Sequence, residues 1–487
     1  MGQAALRRAG PPDIFSRLSG GPALEASLSH PTSSQLIQSN DLAFAGAFLE
    51  NLRCSKIKRN RFKLSRMKPV YSAALLLSLL ALIAALVVLP WSWSQPPPIG
   101  GPQEARAAIS KALSRADQTP IRVAVTPTPQ KQIELSIDGP YQLRPVGSDK
   151  VLSRGQQLAT SNVTATSSGI KIGKSEFAVT RLEIVPTQSP AVWVNGHEYR
   201  GNVRLFRRSG GGILAVNVLP LGEYLASVVD SEMPLSFGEE ARKAQAIAAR
   251  TYALDVMRSG EGDGDFDLFA STSSQKYLGV QYRDGSRRLA GESEASRQIV
   301  RETTGMVCTF QGRLFRTYYS AACGGHTTQG SAVFSDAVAA LKSVPCDYCR
   351  EARLYRWEAE LPKSDVEAKL KTYFRSEGKT FEKLQTIKLV SGSPDRGDEV
   401  PEFEVRDGKR SLRLSAATLR RQLSVSTLYS PFFTITEKSG TLHFDGRGHG
   451  HAVGLCQWGA RGQGLLGKTS NQILRYYYSG ASVVQLQ

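Results

Sequence analysis

The chain has 487 residues and is 41% hydrophobic, so it is long enough for two or three domains with real cores, and its composition excludes a wholly disordered or collagen-like protein. Its formal net charge of +18 favours polyanionic surroundings such as nucleic acid, anionic lipid or an acidic cell wall. Charge alone does not choose among these three.

The N-terminal part of the sequence predicts a tail followed by a membrane span. Residues 1–69 mix Ser, Gly, Pro and Arg without periodicity, which indicates a disordered basic cytoplasmic tail. The end of this tail is rich in Lys and Arg, and an uncharged apolar run of the length that crosses a bilayer as a helix begins at Val70. Because positive flanks stay inside, residues 70–93 are predicted to form a transmembrane helix or signal anchor with an extracytoplasmic C-terminal side.

Translation from Met67 is the alternative, with the apolar run as a cleavable signal peptide. No convincing small-x-small cleavage site follows the run, so an anchor in the cytoplasmic membrane is favoured. The Pro- and Gly-rich residues 94–119 are predicted to be a linker.

The remainder, residues 120–487, is predicted to have an α+β fold. Short alternating runs between Ile121 and Val218, separated by Gly, Pro and Asn, predict a β-rich N-terminal part. A central helix pair follows, and further short strands come after it. The whole is preceded by the one transmembrane helix.

Apolar spacing predicts the two central helices. Pro220 is well placed to open the first, which ends near Pro234. The second is expected to open at Ser236 with capping-box spacing to Glu239, to carry a face of small residues, and to end near Gly260.

Glu232 extends the apolar stripe of the first helix, three residues after Val229. Its carboxylate is therefore expected in a partly dry environment, where desolvation raises the pKa and suits a general acid. The alternative is a structural carboxylate that caps a helix end or pairs with Arg242 or Lys243.

These segments resemble a known family. The resemblance starts from Leu219-Pro-Leu-Gly-Glu-Tyr-Leu, Val228-Val-Asp-Ser-Glu-Met-Pro and Lys243-Ala-Gln-Ala-Ile-Ala-Ala-Arg-Thr-Tyr-Ala. Three further segments agree with it in order, namely Gln275-Lys-Tyr-Leu-Gly, Tyr318-Tyr-Ser through Gly324-Gly-His-Thr-Thr, and Gly446-Arg-Gly-His-Gly-His-Ala-Val-Gly-Leu-Cys-Gln-Trp-Gly. Together they resemble the SpoIID/LytB family over roughly residues 120–487, which would make that region the catalytic one.

The resemblance implies a peptidoglycan lytic transglycosylase that cleaves between N-acetylmuramic acid and N-acetylglucosamine. The Glu of the family's Glu-Met-Pro triplet is the catalytic acid, which gives that role to Glu232. In this reaction the substrate's own C6 hydroxyl is the nucleophile, so one carboxyl group can suffice. A hydrolytic variant would require a second acid, for which Glu223 and Asp230 are nearby in sequence.

Cysteine and histidine spacing predicts a metal site. Cys323-Gly-Gly-His326 and Cys346-Asp-Tyr-Cys349 are two ligand pairs with two-residue spacers. Four protein ligands leave no open position, so a structural Zn²⁺ is expected, and no organic cofactor is. A disulfide or unrelated thiols are the alternative, because the region is expected to be exported.

A further group of residues is predicted to contact substrate. His449 and His451 have period-two spacing, so in an extended segment both would face the same side. The alternative for the two histidines is that they order a turn, and the alternative for Trp458 is that it packs in the core. For the residues on the second helix, the alternative is helix packing. The predicted substrate-binding residues are Gln245, Arg250, Tyr252, His449, His451, Gln457 and Trp458.

The sequence thus favours a membrane-anchored enzyme of cell-wall remodelling that acts on peptidoglycan glycan strands outside the cytoplasm. The alternative is a non-catalytic, wall-binding regulator, because LytB-type relatives are associated with enhancing a partner N-acetylmuramoyl-L-alanine amidase. No nucleic-acid partner is expected, because the densest basic cluster lies beside the predicted membrane span and is not accompanied by a recognised binding motif.

Overall fold

The computed structural model describes residues 116–395, 397–408 and 410–486. The predicted tail, the transmembrane helix over residues 70–93 and nearly all of the linker lie outside these ranges. Within the described ranges, no helix combines the length and the apolar character that a membrane span needs. The described residues have an α+β fold with a β-rich N-terminal part, which confirms this portion of the prediction.

Two sheets form the N-terminal part, and each strand is short. The strands are β1 (Pro120–Ala124), β2 (Gln132–Ile137), β3 (Tyr141–Pro145), β4 (Ser153–Gly155), β5 (Leu158–Ala165), β6 (Ile170–Ile172), β7 (Ser175–Phe177), β8 (Arg181–Pro186), β9 (Val192–Val194), β10 (His197–Tyr199), β11 (Asn202–Arg207), β12 (Ile213–Pro220), β13 (Leu268–Phe269), β14 (Gln281–Asp284) and β15 (Arg287–Ala290). The order in the seven-stranded sheet is β13-β1-β12-β11-β8-β3-β4. The eight-stranded sheet has the order β15-β14-β10-β9-β2-β5-β6-β7.

Alternation of apolar side chains explains why these segments are strands. In β2, Ile133, Leu135 and Ile137 are buried at every second position, as expected for a strand with one face on a core. Side chains from both sheets meet in this first core. β12 pairs antiparallel with β1, with Ile121 opposite Leu219, and then runs directly into a helix. The seven-stranded sheet therefore fixes where that helix starts.

Three helices follow or interleave with the last of these strands: α1 (Leu221–Glu232), α2 (Glu239–Ser259) and α3 (Glu294–Glu302). The predicted bounds of α1 and the C-terminal end of α2 are confirmed, and Gly260 ends α2 in the left-handed conformation with φ 68°. The predicted capping box at Ser236 is wrong. Leu235–Phe237 form a short 3-10 helix instead, and the N-cap of α2 is Gly238, whose φ of 83° favours glycine.

Small side chains line α2 on two sides rather than on the single predicted face. Ala246, Ala249 and Ala253 belong to the first core, whereas Ala241 and Ala244 belong to a second core. Because alanine lets backbones approach closely, α2 packs between the two cores, and the side chain of nearly every residue from its second turn onward is buried.

The C-terminal half supplies the remaining elements. They are β16 (Met306–Phe310), β17 (Arg313–Leu314), β18 (Tyr319–Ser320), β19 (Arg356–Pro362), α4 (Lys363–Ser376), β20 (Leu384–Ser391), β21 (Glu402–Asp407), β22 (Arg410–Ser415), α5 (Ala416–Leu423), β23 (Phe433–Lys438), β24 (Thr441–Arg447), β25 (Leu455–Cys456), α6 (Gln457–Leu465), α7 (Ser470–Tyr477) and β26 (Ser482–Gln485). The small sheets have the orders β17-β16-β26, β18-β25, β19-β24-β23 and β20-β21-β22.

Residues 356–447 form a subdomain with a core of its own, which we call the inserted subdomain. Its two three-stranded sheets and the helices α4 and α5 enclose a third apolar cluster, in which Phe403 and Phe433 stack with ring centroids 5.4 Å apart. Before this subdomain the chain belongs to the second core, and it returns to that core from Ala452 onward, although Phe432 within the subdomain also packs there. Arg356 pairs with Arg447 across β19 and β24, so the two ends of this long insertion lie together.

Candidate active site and metal centre

Glu232 is the last residue of α1. Met233 leaves the helical conformation with φ −133° and ψ 113°, because the residue before a proline disfavours the helical region and Pro234 follows. Tyr224 lies eight residues upstream. Because residues four apart share a face of a helix, Tyr224 and Glu232 lie on the same face of α1. Glu232 thus lies where α1 passes from the first core, which contains Tyr224, to the second, which contains Met233.

Two uncharged donors hold the carboxylate. The backbone N–H of Lys276 donates to Oε1 at 3.0 Å, and the side-chain amide of Gln457 donates to Oε2 at 3.1 Å. The Lys276 contact lies at the surface, whereas the Gln457 contact is partly buried. One oxygen of Glu232 therefore faces the solvent side and the other faces the interior.

The pKa of Glu232 is raised above its usual value, because burial disfavours the ionised carboxylate. The two hydrogen bonds and the positive charge of Lys276 lower the pKa without cancelling the effect of burial. Arg242 pairs with Asp230, and Lys243 pairs with Glu239 and Glu302, so both cations named in the structural alternative have other partners.

Two buried tyrosines and a glutamine lie near the acid, and none of the three was predicted to be a site residue, although all lie in segments that carry the family resemblance. The Tyr224 hydroxyl donates to Oε1 of Gln275 at 3.1 Å. Burial, together with the nearby charge of Glu232, raises the pKa values of Tyr224 and Tyr319. The signals available were these segments and the eight-residue spacing between Tyr224 and Glu232 on α1.

Two of the predicted substrate-binding residues lie at Glu232, and a third adjoins them. Gln457 donates to Glu232 and also to Oε1 of Gln245 at 3.4 Å, and both glutamine side chains are buried. Trp458 is half-buried and packs edge-on against Phe237 at 5.0 Å. Gln457 therefore contacts Glu232 from the protein interior, and Gln245 lies behind Gln457.

Arg250 and Tyr252, which were predicted to contact substrate, make packing contacts inside the protein. Arg250 is fully buried, and its guanidinium pairs with Asp117 at 2.6 Å and donates to the carbonyl of Met306. Tyr252 is 7% exposed and lies beneath the guanidinium of Arg316, 5.1 Å from the ring centre. Their position on α2 turns both side chains toward the protein interior.

His449 and His451 have different neighbours, which corrects the expectation that both face one side. Their segment is not a regular strand, because Gly450 between them has φ 99°. His449 is exposed and packs edge-on against Tyr429 at 5.8 Å. The ring of His451 lies 5.1 Å from that of Phe334, and burial lowers its pKa to about 4.

A buried cluster of four cysteines could hold a metal ion. The sulfur atoms of Cys323, Cys346, Cys349 and Cys456 all lie within 4.8 Å of one another. The structure corrects the predicted ligand set in one position, because His326 is exposed and Cys456 takes its place. All four cysteines are free thiols, as is the buried Cys308.

Glycines let α6 approach this cluster. A Cβ on Gly459 would lie 2.0 Å from the Tyr477 hydroxyl and 2.7 Å from the sulfur of Cys346. A Cβ on Gly462 would lie 2.2 Å from the carbonyl oxygen of Tyr348. Gly459 and Gly462 are therefore needed for close packing of α6 on the turn that carries Cys346 and Cys349.

Comparison with known protein families finds two matches, each to part of the chain. Residues 209–310 match the family SpoIID, described as stage II sporulation protein. Residues 209–310 are therefore identified as a SpoIID domain, which confirms the predicted resemblance to the SpoIID/LytB family over this part of the chain. The SpoIID match contains α1, α2 and α3, and thus Glu232. Residues 336–454 match a domain of unknown function, DUF8618, which contains the inserted subdomain.

The chain is also similar to individual proteins, two of which carry names from this family. The chain is 28% identical to an uncharacterized protein of Brachyspira hyodysenteriae over 76% of this chain and 94% of that protein. It is 27% identical to stage II sporulation protein D of Bacillus subtilis over 55% of this chain and 76% of that protein. It is 22% identical to the amidase enhancer of Bacillus subtilis over 78% of this chain and 56% of that protein.

Proposed function

We propose that this chain is a peptidoglycan lytic transglycosylase in which Glu232 acts first as general acid and then as general base. The observation that carries the proposal is the environment of Glu232, a carboxyl group whose pKa burial raises and which two uncharged donors hold. The similarity to stage II sporulation protein D and to an amidase enhancer supports a role in the cell wall.

The two oxygens of Glu232 suit an acid that meets its substrate from one side. Oε1 is at the surface, where a glycosidic oxygen can approach, and Oε2 is anchored by Gln457 inside. A raised pKa keeps a larger fraction of the carboxyl group protonated near neutral pH, as a general acid requires. The hydrogen bonds from Lys276 and Gln457 then stabilise the carboxylate that remains after the proton has been given up.

The proposed reaction needs no water. Glu232 gives its proton to the glycosidic oxygen as the bond from that oxygen to the anomeric carbon of N-acetylmuramic acid breaks. The C6 hydroxyl oxygen of the same sugar then bonds to the anomeric carbon, and its proton passes to the Glu232 carboxylate. The enzyme is restored, and the products are a free hydroxyl on N-acetylglucosamine and a 1,6-anhydro sugar.

The carboxylates nearest in sequence do not fit a two-carboxyl hydrolysis. Asp230 is held by Arg242. Glu223 lies nine residues before Glu232 on α1, about 13 Å along the helix axis. The separation in two-carboxyl glycosidases is about 5–9.5 Å. A single-acid mechanism is therefore favoured.

We also propose that residues 70–93 anchor the chain in the cytoplasmic membrane and place the catalytic region outside it. The uncharged run after a basic flank supports the anchor. Alkaline carbonate extraction of membranes should leave the full-length chain in the pellet. Release of a shortened chain would favour a signal peptide that starts at Met67.

The decisive experiment is mass spectrometry of products from the purified full-length chain in detergent, incubated with intact and with peptide-stripped glycan strands. Wild type should yield 1,6-anhydro-muramic ends, and Glu232→Gln should lower their formation by at least about a hundredfold, the lower part of the range for loss of a general acid. Glu223→Gln, on the same helix, is the matched control and should retain activity. Reducing muramic ends that depend on Glu223 would replace the proposal with hydrolysis.

The second candidate is a non-catalytic enhancer of a cell-wall amidase, favoured by the similarity to the amidase enhancer over most of this chain. An enhancer would release no anhydro ends from either substrate. It would stimulate a purified N-acetylmuramoyl-L-alanine amidase equally well as wild type and as Glu232→Gln. That pair of results would move the assignment to the enhancer.

A further inference from the structure

The four cysteine sulfurs have the separations of a tetrahedral site. A metal–sulfur bond of about 2.3 Å in a tetrahedron places two sulfurs about 3.8 Å apart. The sulfurs of Cys323 and Cys349 are 3.7 Å apart, and all four lie within 4.8 Å of one another. A disulfide would need about 2.05 Å, so this pair is spaced for a shared ion and not for a bond.

The groups around the cluster are suited to thiolates. The backbone N–H groups of Cys323 and Gly459 each approach the sulfur of Cys456 at 3.3 Å. The Tyr477 hydroxyl lies 3.1 Å from the sulfur of Cys346. Arg447 places a buried positive charge near Cys323 and Cys349, which offsets part of the negative charge of four thiolates around a divalent ion.

The cluster is directly linked to the candidate acid. Cys456 is the N-cap of α6, and the next residue, Gln457, donates to Glu232 at 3.1 Å. Leu455 and Cys456 in β25 pair with Tyr319 and Ser320 in β18, the strand that leads to Cys323. The two cysteines are thus attached to the two chain segments that approach Glu232 from the second core.

We infer that a metal ion bound by Cys323, Cys346, Cys349 and Cys456 positions Glu232 through Gln457. Tetrahedral thiolate ligation favours Zn²⁺. Gln457 is in this view a positioning residue, because it acts on the acid and not on the glycan. The catalytic consequence rests on the proposed function, whereas metal binding and the position of Glu232 can be measured without it.

Metal content of the purified full-length chain tests the site. Inductively coupled plasma mass spectrometry should find about one zinc ion per wild-type chain, and Cys349→Ser should lose it. The matched control is Cys308→Ser, a buried cysteine outside the cluster, which should keep the ion. Full metal content in Cys349→Ser, or no stoichiometric metal in wild type, would overturn the inference.

Hydrogen exchange after removal of the ion tests the link to Glu232, and it avoids the risk that a cysteine variant fails to fold. Wild type stripped by 1,10-phenanthroline should exchange faster at the Lys276 amide, which donates to Glu232, and at the Trp458 amide, which donates to the Ala321 carbonyl. Exchange in β2 should be unchanged, and added Zn²⁺ should restore protection. Faster exchange confined to the cysteine segments would overturn the link.

Activity separates this inference from the proposed function. If both hold, glycan cleavage should fall about tenfold or more on stripping and recover with Zn²⁺. Gln457→Met should keep the ion but shift the alkaline limit of cleavage to higher pH, because the amide's hydrogen bond lowers the pKa of Glu232. If removal of the ion changes exchange at Lys276 but the chain cleaves no glycan, the proposed function is contradicted and the further inference is not.

Discussion

The carboxylate of Glu232 is less stable in the folded protein than in water, because burial raises its pKa. A group whose pKa is higher in the folded state contributes stability that is fully present below its unfolded pKa, which is about 4.3 for glutamate. That contribution is lost as the pH rises through the folded pKa. The residue that suits the proposed chemistry therefore weakens the fold at neutral pH.

We expect Glu232→Gln to raise the midpoint of thermal unfolding at pH 7, because the neutral amide removes the cost of burying a charge. The difference from wild type should shrink as the pH falls below the unfolded pKa of about 4.3, where Glu232 becomes protonated in both states. Glu302→Gln is the opposite control. Its pKa is lowered by pairing with Lys243, so the substitution should lower the midpoint at pH 7. Equal stability of Glu232→Gln and wild type at pH 7 would contradict a raised pKa.

Local sequence patterns could predict residues whose roles depend on nearby positions. Glu232 could be placed at the end of an apolar helix because Val228 and Val229 lie within one turn of it. The fourth cysteine could not be chosen, because Cys456 lies 133 positions after Cys323 and spacing favoured His326 instead. Arg250 could not be recognised as a packing residue, because its partner Asp117 lies 133 positions away.

The glycines of α6 are explained by the contacts that this helix makes with other elements. Its glycines lower the intrinsic stability of the helix, yet two of them face atoms that leave no room for a methyl group. Sequence periodicity could predict α1 and α2, but it could not explain the glycines of α6, because their contacts come from the distant turn at Cys346 and from α7.

Gly459→Ala and Gly464→Ala should change stability in opposite directions. The first places a methyl group 2.0 Å from the Tyr477 hydroxyl and should cost about 1–3 kcal/mol through overpacking. The second meets its nearest atom at 3.7 Å, an ordinary contact, and should stabilise by up to about 1 kcal/mol through helix propensity. Urea unfolding midpoints measure both, and equal midpoints for the two variants would refute the close packing of α6.

At the scale of the whole molecule, the described chain is organised around separate apolar cores. The first lies between the two large sheets, the second contains the cysteines, and the third lies inside the inserted subdomain. The alternating β pattern before Val218 could be predicted from sequence. The division after Asp267 could not, because short strands with Gly-rich turns look alike whichever core they join.

Phe403→Ala should destabilise the inserted subdomain by about 3–5 kcal/mol, because Phe403 is fully buried in its core. Hydrogen exchange should become faster in β21 and in β23, where Phe433 stacks on Phe403. The amides of β1 and β12 should keep wild-type protection, since their core is separate. Equally faster exchange in β1 and β12 would show that the cores unfold as one.

The inserted subdomain also sets the order in which the site can be completed during folding. Cys323 and Cys349 are 26 positions apart, but Cys456 follows only after the whole insertion. The entropic cost of closing a loop rises with its length, so the last sulfur joins the others most readily once the insertion has become compact. Gln457 arrives with Cys456, so a partly folded chain holds Glu232 without its inner partner. The order of folding would thereby delay the proposed activity until the inserted subdomain has folded and Gln457 has reached Glu232.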